Sequence, residues 1–526
     1  MFEGRRRNHA RGIMPDLEKK SAAASPNAVP TAADEKFKAK IGGCWLGKAI
    51  GGTLGTPHEG KPGPLELTFY DPMPDGMLPN DDLDLQIVWL EHLLGGRFRQ
   101  VTPEILAEAW EKFVQFPWDE YGIARRNRAL GLRGERQGSH DNFFGECMGA
   151  AIRSELWACI APGDPNRAAG FAWADAVVDH AGEGVWAEVF HAVVQSAAFT
   201  NNGMEELLAV GLSMIPADSR VARAIRDTVR WWRQEHDWRR VRSRIIFAHG
   251  RANFTDVAAN LAFEVLGWLA GDGDFARSIC IAVNCGRDTD CTGATLGALL
   301  GILDPNGIPE RWSAPIGERI VLSPGIVGLM PPASLTALTE ATLQLSAQLA
   351  GAFPAIPPVA PIRPTGPEGP FFCEMAQGHS FTPEFTLRNP QSRPIHGHWL
   401  QFAPAEFEAD WLLLELSFDW AGSGNIRLLA YADVEIYTWV DESPAVHFTE
   451  DDLRADPFLA PSFHRAGKAA CMLTGLGRGR HRLNLAIART KEGRAVNLVF
   501  GLGDPVTNQW LAEPFGFQKK AADGRR

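Results

Sequence analysis

The sequence lacks the features that mark secreted and membrane-spanning proteins. Its eight cysteines are scattered along 526 residues without a CxxC pair, so a disulfide framework is not expected. The basic N-terminus has no apolar segment of the kind found in signal peptides. No uninterrupted run of about 18 apolar residues occurs, which argues against a membrane span. We therefore predict a reduced, cytoplasmic protein with no membrane partner.

Positive charge is also scarce. The chain has 52 Lys and Arg against 63 Asp and Glu, which gives a net charge of −11. A phosphate backbone needs a basic protein face, so we do not expect nucleic acid to be the main partner. Hydrophobic residues make up 45% of the chain and charged residues 22%, which permits a large core. Nothing in these numbers indicates an oligomeric state.

Alternating strand patterns are scarce in the first two thirds of the chain, where helical spacing dominates. Leu83, Ile87, Leu90 and Leu94, for example, would share one face of a helix. Several other segments repeat this spacing. We therefore predict that residues 36–350 form an all-α domain.

Composition divides the rest of the chain. Residues 1–35 are polar and are predicted to be a flexible tail. Residues 351–370 are predicted to be a linker, because their many prolines exclude a helix. Short apolar or alternating segments with glycine-rich turns follow, so residues 371–520 are predicted to form a β-sandwich-like domain, with a tail at 521–526. The predicted fold class is an all-α domain followed by an all-β domain.

The predicted β domain is rich in tryptophan, with indoles at Trp399, Trp411, Trp420, Trp439 and Trp510. Exposed indoles stack on sugars, so a glycan is one candidate partner of this domain. Tryptophans also fill sandwich cores, which is the more common situation. A lid or an oligomerisation module is a further interpretation.

Two acidic pairs stand immediately before predicted helices. In "PNDDLDLQ", Asn80 is a natural N-cap, and Asp81 and Asp82 would lie in the first helical turn, where acids favour the positive end of the helix dipole. In "NCGRDTDCTG", Asp288 and Asp290 precede a second apolar helix. Capping alone would explain the first pair, but two such pairs favour a shared role.

The second helix carries glycines at a spacing of four residues. Gly293, Gly297 and Gly301 form a smooth stripe for a close helix neighbour, so we expect this helix to be central and its acids to face inward. Unpaired carboxylates near a core are costly unless they are protonated, paired or bound to a cation. Arg287 alone would not balance four acids. Oxygen donors without a His–Cys set suit Mg²⁺, Mn²⁺ or Ca²⁺, and two converging helix starts suit a two-metal site.

Three segments together resemble the ADP-ribosylglycohydrolase family, which includes the dinitrogenase reductase-activating glycohydrolases. "GKAIGGTLGTPHEG" (47–60) is similar to the glycine-rich signature of the family, "NDDLDLQ" to its first metal motif and "GRDTDCTGATLGALLG" to its second. The resemblance covers residues 36–350 and looks like a divergent bacterial branch with an added β domain. It implies a compact all-α fold with two Mg²⁺ or Mn²⁺ ions that cleaves the glycosidic bond of ADP-ribosyl groups.

The resemblance implies roles for individual residues. The implied metal ligands are Asn80, Asp81, Asp82, Asp288, Asp290 and Thr292. The implied catalytic residues are Glu59, as an acid/base or water-orienting group, with Asp82 and Asp288. The implied substrate-binding residues are His180, Gly149 and Arg153. Without the resemblance, Glu59 is equally well a solvated loop residue, and a lone His180 is more often structural.

The sequence departs from the family pattern at several positions. Cys291 stands where the family often has a ligand threonine, and a neutral thiol is a poor ligand for a hard ion. Three alternatives follow: Thr292 takes the ligand role, a water substitutes for the missing ligand, or one metal is held more weakly. Gly52 replaces a frequent aspartate. The region 142–156 keeps the glycines of a diphosphate-binding loop, but Glu146 within it would repel a phosphate.

The principal hypothesis is a divalent-metal-dependent hydrolase that cleaves a ribosyl C1 bond in an ADP-ribosylated or related small-molecule substrate. One alternative is a metal-dependent hydrolase of another nucleoside or glycoside. A second is a non-catalytic ADP-ribose- or sugar-binding protein. A third is a phosphoester hydrolase that uses the DxD segment.

Overall fold

The computed structural model describes residues 35–352, 371–381, 387, 389–395, 397–465, 467–490 and 493–511. The tail predicted at 1–35 lies outside these ranges apart from Glu35, and the tail predicted at 521–526 lies wholly outside them. The predicted linker also lies outside, except for residues 351–352. The described residues form a helical domain followed by a domain of β-strands.

The first domain is helical, as the sequence predicts. Its α-helices are α1 (Glu35–Gly55), α2 (Asp81–Gly95), α3 (Pro103–Phe113), α4 (Asp119–Ala129), α5 (Glu135–Ser139), α6 (Ser154–Ile160), α7 (Pro165–Ala176), α8 (Glu183–Ala198), α9 (Met204–Ser213), α10 (Arg220–Glu235), α11 (Trp238–His249), α12 (Val257–Gly271), α13 (Phe275–Asn284), α14 (Thr289–Leu303), α15 (Glu310–Ser313) and α16 (Leu335–Gln348). Short 3₁₀ turns occur at Thr56–His58 and Ala151–Arg153. Across the described ranges, every helix is too short or too polar to cross a bilayer.

Helices α1 and α14 cross with their backbones in contact. A Cβ atom added to any of six facing glycines would overlap a backbone atom of the other helix, in the pairs Gly43–Gly301, Gly47–Gly297 and Gly51–Gly293. Gly55 continues the row and faces the backbone of Asp290. The predicted glycine stripe of α14 is therefore confirmed, and it holds the start of α14 against the end of α1.

The second domain is a two-layer antiparallel sandwich. Its strands are β1 (Phe371–Gly378), β2 (Gln391–Ile395), β3 (Trp399–Phe402), β4 (Trp411–Trp420), β5 (Gly424–Ala432), β6 (Ile436–Val440), β7 (Ser443–Phe448), β8 (Ala470–Leu476), β9 (Gly479–Ala488) and β10 (Val496–Gly503), with a short helix α17 (Glu450–Ala455) after β7. One sheet has the order β2-β1-β4-β9-β6-β7 and the other β3-β10-β5-β8. Leu412, Leu414, Leu416 and Phe418 alternate along β4 and are buried in the core of this domain. The predicted fold class is confirmed.

The tryptophans of this domain are buried or half-buried. Trp439 and Trp510 are only 4% and 7% exposed, whereas Trp399, Trp411 and Trp420 are half-buried. The sandwich-core interpretation therefore fits Trp510, whereas Trp439 packs with Leu413 and Ala486 in a separate cluster. The described residues give no support for glycan binding.

The two domains contact each other around Asp141. Its carboxylate accepts hydrogen bonds from the backbone amides of His398 at 2.7 Å and Trp399 at 2.8 Å, and it pairs with Arg126 at 3.1 Å. The Arg126 guanidinium lies 5.4 Å from the centre of the Trp510 ring. This contact fixes the β-sandwich on the side of the helical domain where the acidic residues lie.

Candidate metal centre

The first acidic pair lies in the first turn of α2. The side chain of Asn80 accepts a hydrogen bond from the backbone N–H of Asp82 at 2.7 Å and thereby caps the helix. Asp81 accepts a hydrogen bond from the Tyr121 hydroxyl at 3.2 Å. Asp82 points inward and is only 1% exposed. Asn80 therefore caps α2 while Asp82 of the same motif faces the interior of the domain.

The second acidic pair lies at the start of α14. Asp288 occupies the N-cap position without using its side chain as a cap, and Asp290 is the second residue of the helix, in its first turn. Their exposures are 2% and 5%. The side-chain amide of Asn80 donates a hydrogen bond to Oδ2 of Asp290 at 3.2 Å. The structure therefore brings together two motifs that are 210 residues apart in the chain.

The carboxylates form two overlapping sets of donor atoms. One atom each from Asp82, Asp290 and Cys291 lie within 4.8 Å of one another, and so do atoms of Glu59, Asp288 and Asp290. Asp290 belongs to both sets. This arrangement offers two neighbouring positions for cations with the Asp290 carboxylate between them.

The electrostatics of these carboxylates favour a bound cation. Oδ2 of Asp82 and Oδ1 of Asp290 are buried without a hydrogen-bond partner. Burial raises the pKa of Asp82, Asp288 and Asp290 well above the usual range, and repulsion among the carboxylates raises each of them further. Buried carboxylate oxygens without partners are costly. Divalent cations that prefer oxygen would satisfy them, so the residues fit Mg²⁺ or Mn²⁺.

One buried lysine compensates part of this negative charge. Nζ of Lys48, on α1, lies 3.4 Å from Oδ1 of Asp82 and 3.1 Å from Oε2 of Glu155. All three side chains are at most 1% exposed. Among the described residues, no lysine or arginine forms an ion pair of this kind with Asp288 or Asp290.

Glu59 lies at the mouth of the site. It follows the 3₁₀ turn after α1, and its loop is held by hydrogen bonds from Gly60 N to Arg287 O at 2.8 Å and from Arg287 N to Lys61 O at 2.6 Å. Its side chain is exposed to solvent, although the protein atoms crowded around its carboxylate remove part of its hydration. This loss of hydration, together with the negative charge of Asp81, raises the pKa of Glu59 to about 7. A carboxyl group with such a pKa can both donate and accept a proton near neutral pH.

Comparison with known proteins identifies the family of the helical domain. The family model described as ADP-ribosylglycohydrolase matches residues 33–348. The chain belongs to the ADP-ribosylglycohydrolase family. Membership supports a glycosidic hydrolase.

A solved structure also resembles the chain. It is described as an ADP-ribosylglycohydrolase-related protein complex, has 21% sequence identity and a TM-score of 0.41, and the match covers 60% of this chain and 98% of that chain. No curated protein matches the chain.

Cys291 lies among the donor atoms of this ADP-ribosylglycohydrolase domain. The hydroxyl of Thr292 donates a hydrogen bond to the carbonyl of Thr289 at 3.2 Å, within its own helix. The Cys291 sulfur lies with oxygens of Asp82 and Asp290. Burial raises the pKa of the thiol well above its usual value, so it stays neutral. The ligand role of Thr292 stays a prediction.

The predicted substrate-binding residues lie behind the cleft. Arg153 is fully buried and pairs with Asp175 at 3.1 Å and Asp179 at 2.8 Å, which argues against the predicted contact with a diphosphate. His180 is also fully buried; its Nδ1 lies 2.8 Å from Asp179, and its Nε2 accepts a hydrogen bond from Ala150 N at 3.2 Å. In the sequence, an arginine close to glycines resembles an anion-binding site. In the structure, the charge of Arg153 is paired with the buried carboxylates of Asp175 and Asp179.

Gly149 has a steric role. A Cβ atom at this position would overlap Oε1 of Glu120 and would lie 3.1 Å from Cε1 of His180. Glycine therefore lets Glu120 enter the cleft from α4. Direct contact of Gly149 with a substrate stays a prediction.

Several residues near the site were not identified from sequence. Lys48 lies within the glycine-rich signature, where a lysine among small helical residues was the available signal. Asp119, at the start of α4, is 6% exposed and has a positive φ of 39°, which is uncommon for a residue other than glycine. Its partner Arg465 is 346 residues away in the β domain, and nothing in the local sequence marks that pairing.

Proposed function

We propose that the protein hydrolyses the C1 glycosidic bond of a ribosyl group in an ADP-ribosylated or related substrate, with the help of two Mg²⁺ or Mn²⁺ ions. The observation that carries this proposal is the convergence of two donor sets on Asp290, with Asp82 and Cys291 on one side and Glu59 and Asp288 on the other. Membership of the ADP-ribosylglycohydrolase family supports the glycosidic bond as the target.

Asp81, Asp82, Asp288 and Asp290 would hold the ions. When bound, the ions would supply positive charge and a template for the vicinal hydroxyls of the ribose. Asn80 holds the Asp290 carboxylate in place through its side-chain amide. Tyr121 does the same for Asp81 through its hydroxyl.

The chain's own groups would carry the remaining steps. Cleavage at C1 builds positive charge on the sugar ring, and the carboxylates of Asp82 and Asp288 would stabilise that charge. Glu59 would move a proton at the solvent side of the site or orient the attacking water, because its pKa of about 7 suits both roles. The low exposure of the aspartates would keep bulk water away from the reacting bond.

A second candidate is hydrolysis of a nucleoside or glycoside that lacks a diphosphate. Arg153 is fully buried, and Glu146 is engaged by Arg220 at 3.0 Å and Arg251 at 2.7 Å. Among the described residues, these three arginines are therefore engaged within the protein, and none of them is free to hold a diphosphate at region 142–156. This observation favours a substrate whose recognition does not depend on a diphosphate held there.

The test is a hydrolysis assay with added metal. ADP-ribosyl-arginine and a panel of nucleosides and glycosides would be incubated with Mn²⁺, Mg²⁺ or EDTA, and the products identified by mass. We expect metal-dependent release of a free sugar or ADP-ribose, and a loss of at least about 1,000-fold in Asp288→Asn and Asp290→Asn. Asp272→Asn, at the end of α12, is the control and should keep full activity.

Three outcomes would contradict the proposal. Full activity in EDTA, or in both active-site variants, would remove the role of the metal centre. Release of inorganic phosphate would indicate a phosphoesterase. Binding of ADP-ribose without any turnover of the panel would indicate a binding protein.

A further inference from the structure

A loop of the β domain packs against the helical domain beside the acidic residues. We call residues 456–465 the covering loop. Arg465, at its end, pairs with Asp119, and its guanidinium lies 4.4 Å from the centre of the Phe254 ring. Phe458, near its start, packs edge-on against Phe254 at 5.6 Å between ring centres. The loop thus contacts the helical domain at both of its ends.

The contacts of the covering loop are neighbours of the acidic residues. The guanidinium of Arg287, which directly precedes Asp288, lies 5.2 Å from the Phe458 ring. A Cβ atom at Gly60, the residue after Glu59, would lie 3.9 Å from the Phe254 ring. The positive charge of Arg465 also offsets part of the rise in pKa that burial causes at Glu59, so the two side chains lie within electrostatic reach.

Simple domain packing does not account for the polar atoms of this loop. Nη1 of Arg465 is buried without a hydrogen-bond partner, whereas Oδ1 of Asp119 lies 3.6 Å from Nδ1 of His464 in the same loop. Buried polar atoms in a purely structural contact are almost always paired. One donor of Arg465, whose charge acts on Glu59, is therefore left for a group that binds beside Glu59.

We propose that the β domain completes the substrate site. The covering loop forms the wall beside Asp119 and Glu59, and Nη1 of Arg465 donates a hydrogen bond to an oxygen of the substrate. The aspartates Asp82, Asp288 and Asp290 are at most 5% exposed, and with this wall beside them the site would admit a small ribosyl compound and exclude a ribosyl group attached to a folded protein. This inference rests on the proposed function for the identity of the substrate, and on the covering loop alone for its selection by size.

The first test measures access to the site without activity. Metal-free protein would be treated with N-ethylmaleimide, and labelling of Cys291 followed by peptide mapping. In Arg465→Ala and Phe458→Ala we expect Cys291 to react about tenfold faster than in the wild type, because the wall is opened. Gln509→Ala is the matched control, since Gln509 Nε2 donates to Gln115 O at 3.3 Å across the same domain contact at an exposed position. It should leave the labelling rate unchanged.

The labelling experiment contains its own check for unfolding. Cys44 and Cys159 are fully buried in the helical core and should stay unlabelled in every variant. If they react in Arg465→Ala, Phe458→Ala is the variant to score, because it keeps the pair between Arg465 and Asp119. An unchanged Cys291 rate in a folded variant would overturn the proposal.

The second test measures selection. The wild type should cleave ADP-ribosyl-arginine with a kcat/KM at least about 100-fold above that for ADP-ribosyl-arginine within a folded protein, and Phe458→Ala should reduce this ratio about tenfold. Arg465→Lys, which keeps the charge but not the fork of donors, should raise KM for the small conjugate. Equal cleavage of both substrates by the wild type would contradict the inference. If neither is cleaved, the proposed function fails on this substrate, and Cys291 labelling still decides whether the loop is a wall.

Discussion

The side-chain amide of Asn80 lies 3.2 Å from the Asp290 carboxylate, while the carbonyl oxygen of the same side chain caps α2 by accepting from Asp82 N at 2.7 Å. One side chain therefore links the starts of two helices that carry the acidic pairs. Replacing it would affect both helix stability and the placement of Asp290.

Asn80→Ala should weaken both properties. Loss of the cap should lower the free energy of unfolding by about 1 kcal/mol, and loss of the donor to Asp290 should lower the affinity for Mn²⁺ by about tenfold. Thr102→Ala is the matched control, because Thr102 caps α3 by accepting from Ile105 N at 3.3 Å and lies outside the acidic motifs. Calorimetric titration with Mn²⁺ and urea unfolding would measure the two effects. An equal loss of Mn²⁺ affinity in both variants would contradict this role of Asn80.

The glycine contact between α1 and α14 predicts an unusual sensitivity to a single methyl group. In Gly51→Ala the new Cβ would overlap the carbonyl of Gly293, so the helices must separate, and we expect a loss of about 3 kcal/mol in urea unfolding. Gly42→Ala, in the same helix, would meet only the Thr339 hydroxyl at 3.7 Å and should gain up to about 1 kcal/mol from helix propensity. Similar stabilities for the two variants would show that the helices are not held by this contact.

The position of Cys291 predicts a change in metal preference. A neutral thiol is a poor partner for Mg²⁺, so Cys291→Thr should raise the affinity for Mg²⁺ by about tenfold and change that for Mn²⁺ less. Titration calorimetry with each metal would measure the difference. Thr292→Val separates the two neighbouring positions, since loss of metal binding in this variant would identify Thr292 as the ligand instead.

The contact between the domains should weaken in acid through His398. Burial, followed by the charge of Arg126, lowers the pKa of His398 from 6.5 to about 4, so the folded state favours the neutral ring. Its contribution to stability is complete above pH 6.5 and is lost as the pH falls from 6.5 to 4, up to about 3 kcal/mol. His398→Gln should unfold with a smaller pH dependence over this interval. Because buried carboxylates titrate in the same interval with the opposite sign, the difference between wild type and variant is the quantity to measure, and identical pH profiles would refute the assignment.

The helical domain and its acidic pairs could be predicted because their signals are local. The pair at Asp81 and Asp82 and the pair at Asp288 and Asp290 each stand at a helix start, and the glycine spacing of α14 indicates a close helix neighbour. Those features follow from helix geometry and from the cost of burying charge. The resemblance to the family then indicated that the pairs meet.

The surroundings of the acids could not be predicted, because they depend on tertiary pairing. Arg153 looked like a phosphate ligand until Asp175 and Asp179 were found beside it. Arg465 belongs to another domain, and no spacing in the sequence connects it with Asp119. The choice between Cys291 and Thr292 depends on which face of α14 points to the acids, a rotation that the sequence of a helix made of small residues does not determine.

The contact between α1 and α14 has a consequence for how substrate preference can change. Because the contact joins main chain to main chain, the separation between the end of α1 and the start of α14 is set by the two backbones and not by side-chain rotamers. Substitutions in the covering loop, or exchange of the whole appended sandwich, would therefore leave the backbone that carries Asp290 in place. A family built in this way can acquire new substrates without rebuilding its chemistry.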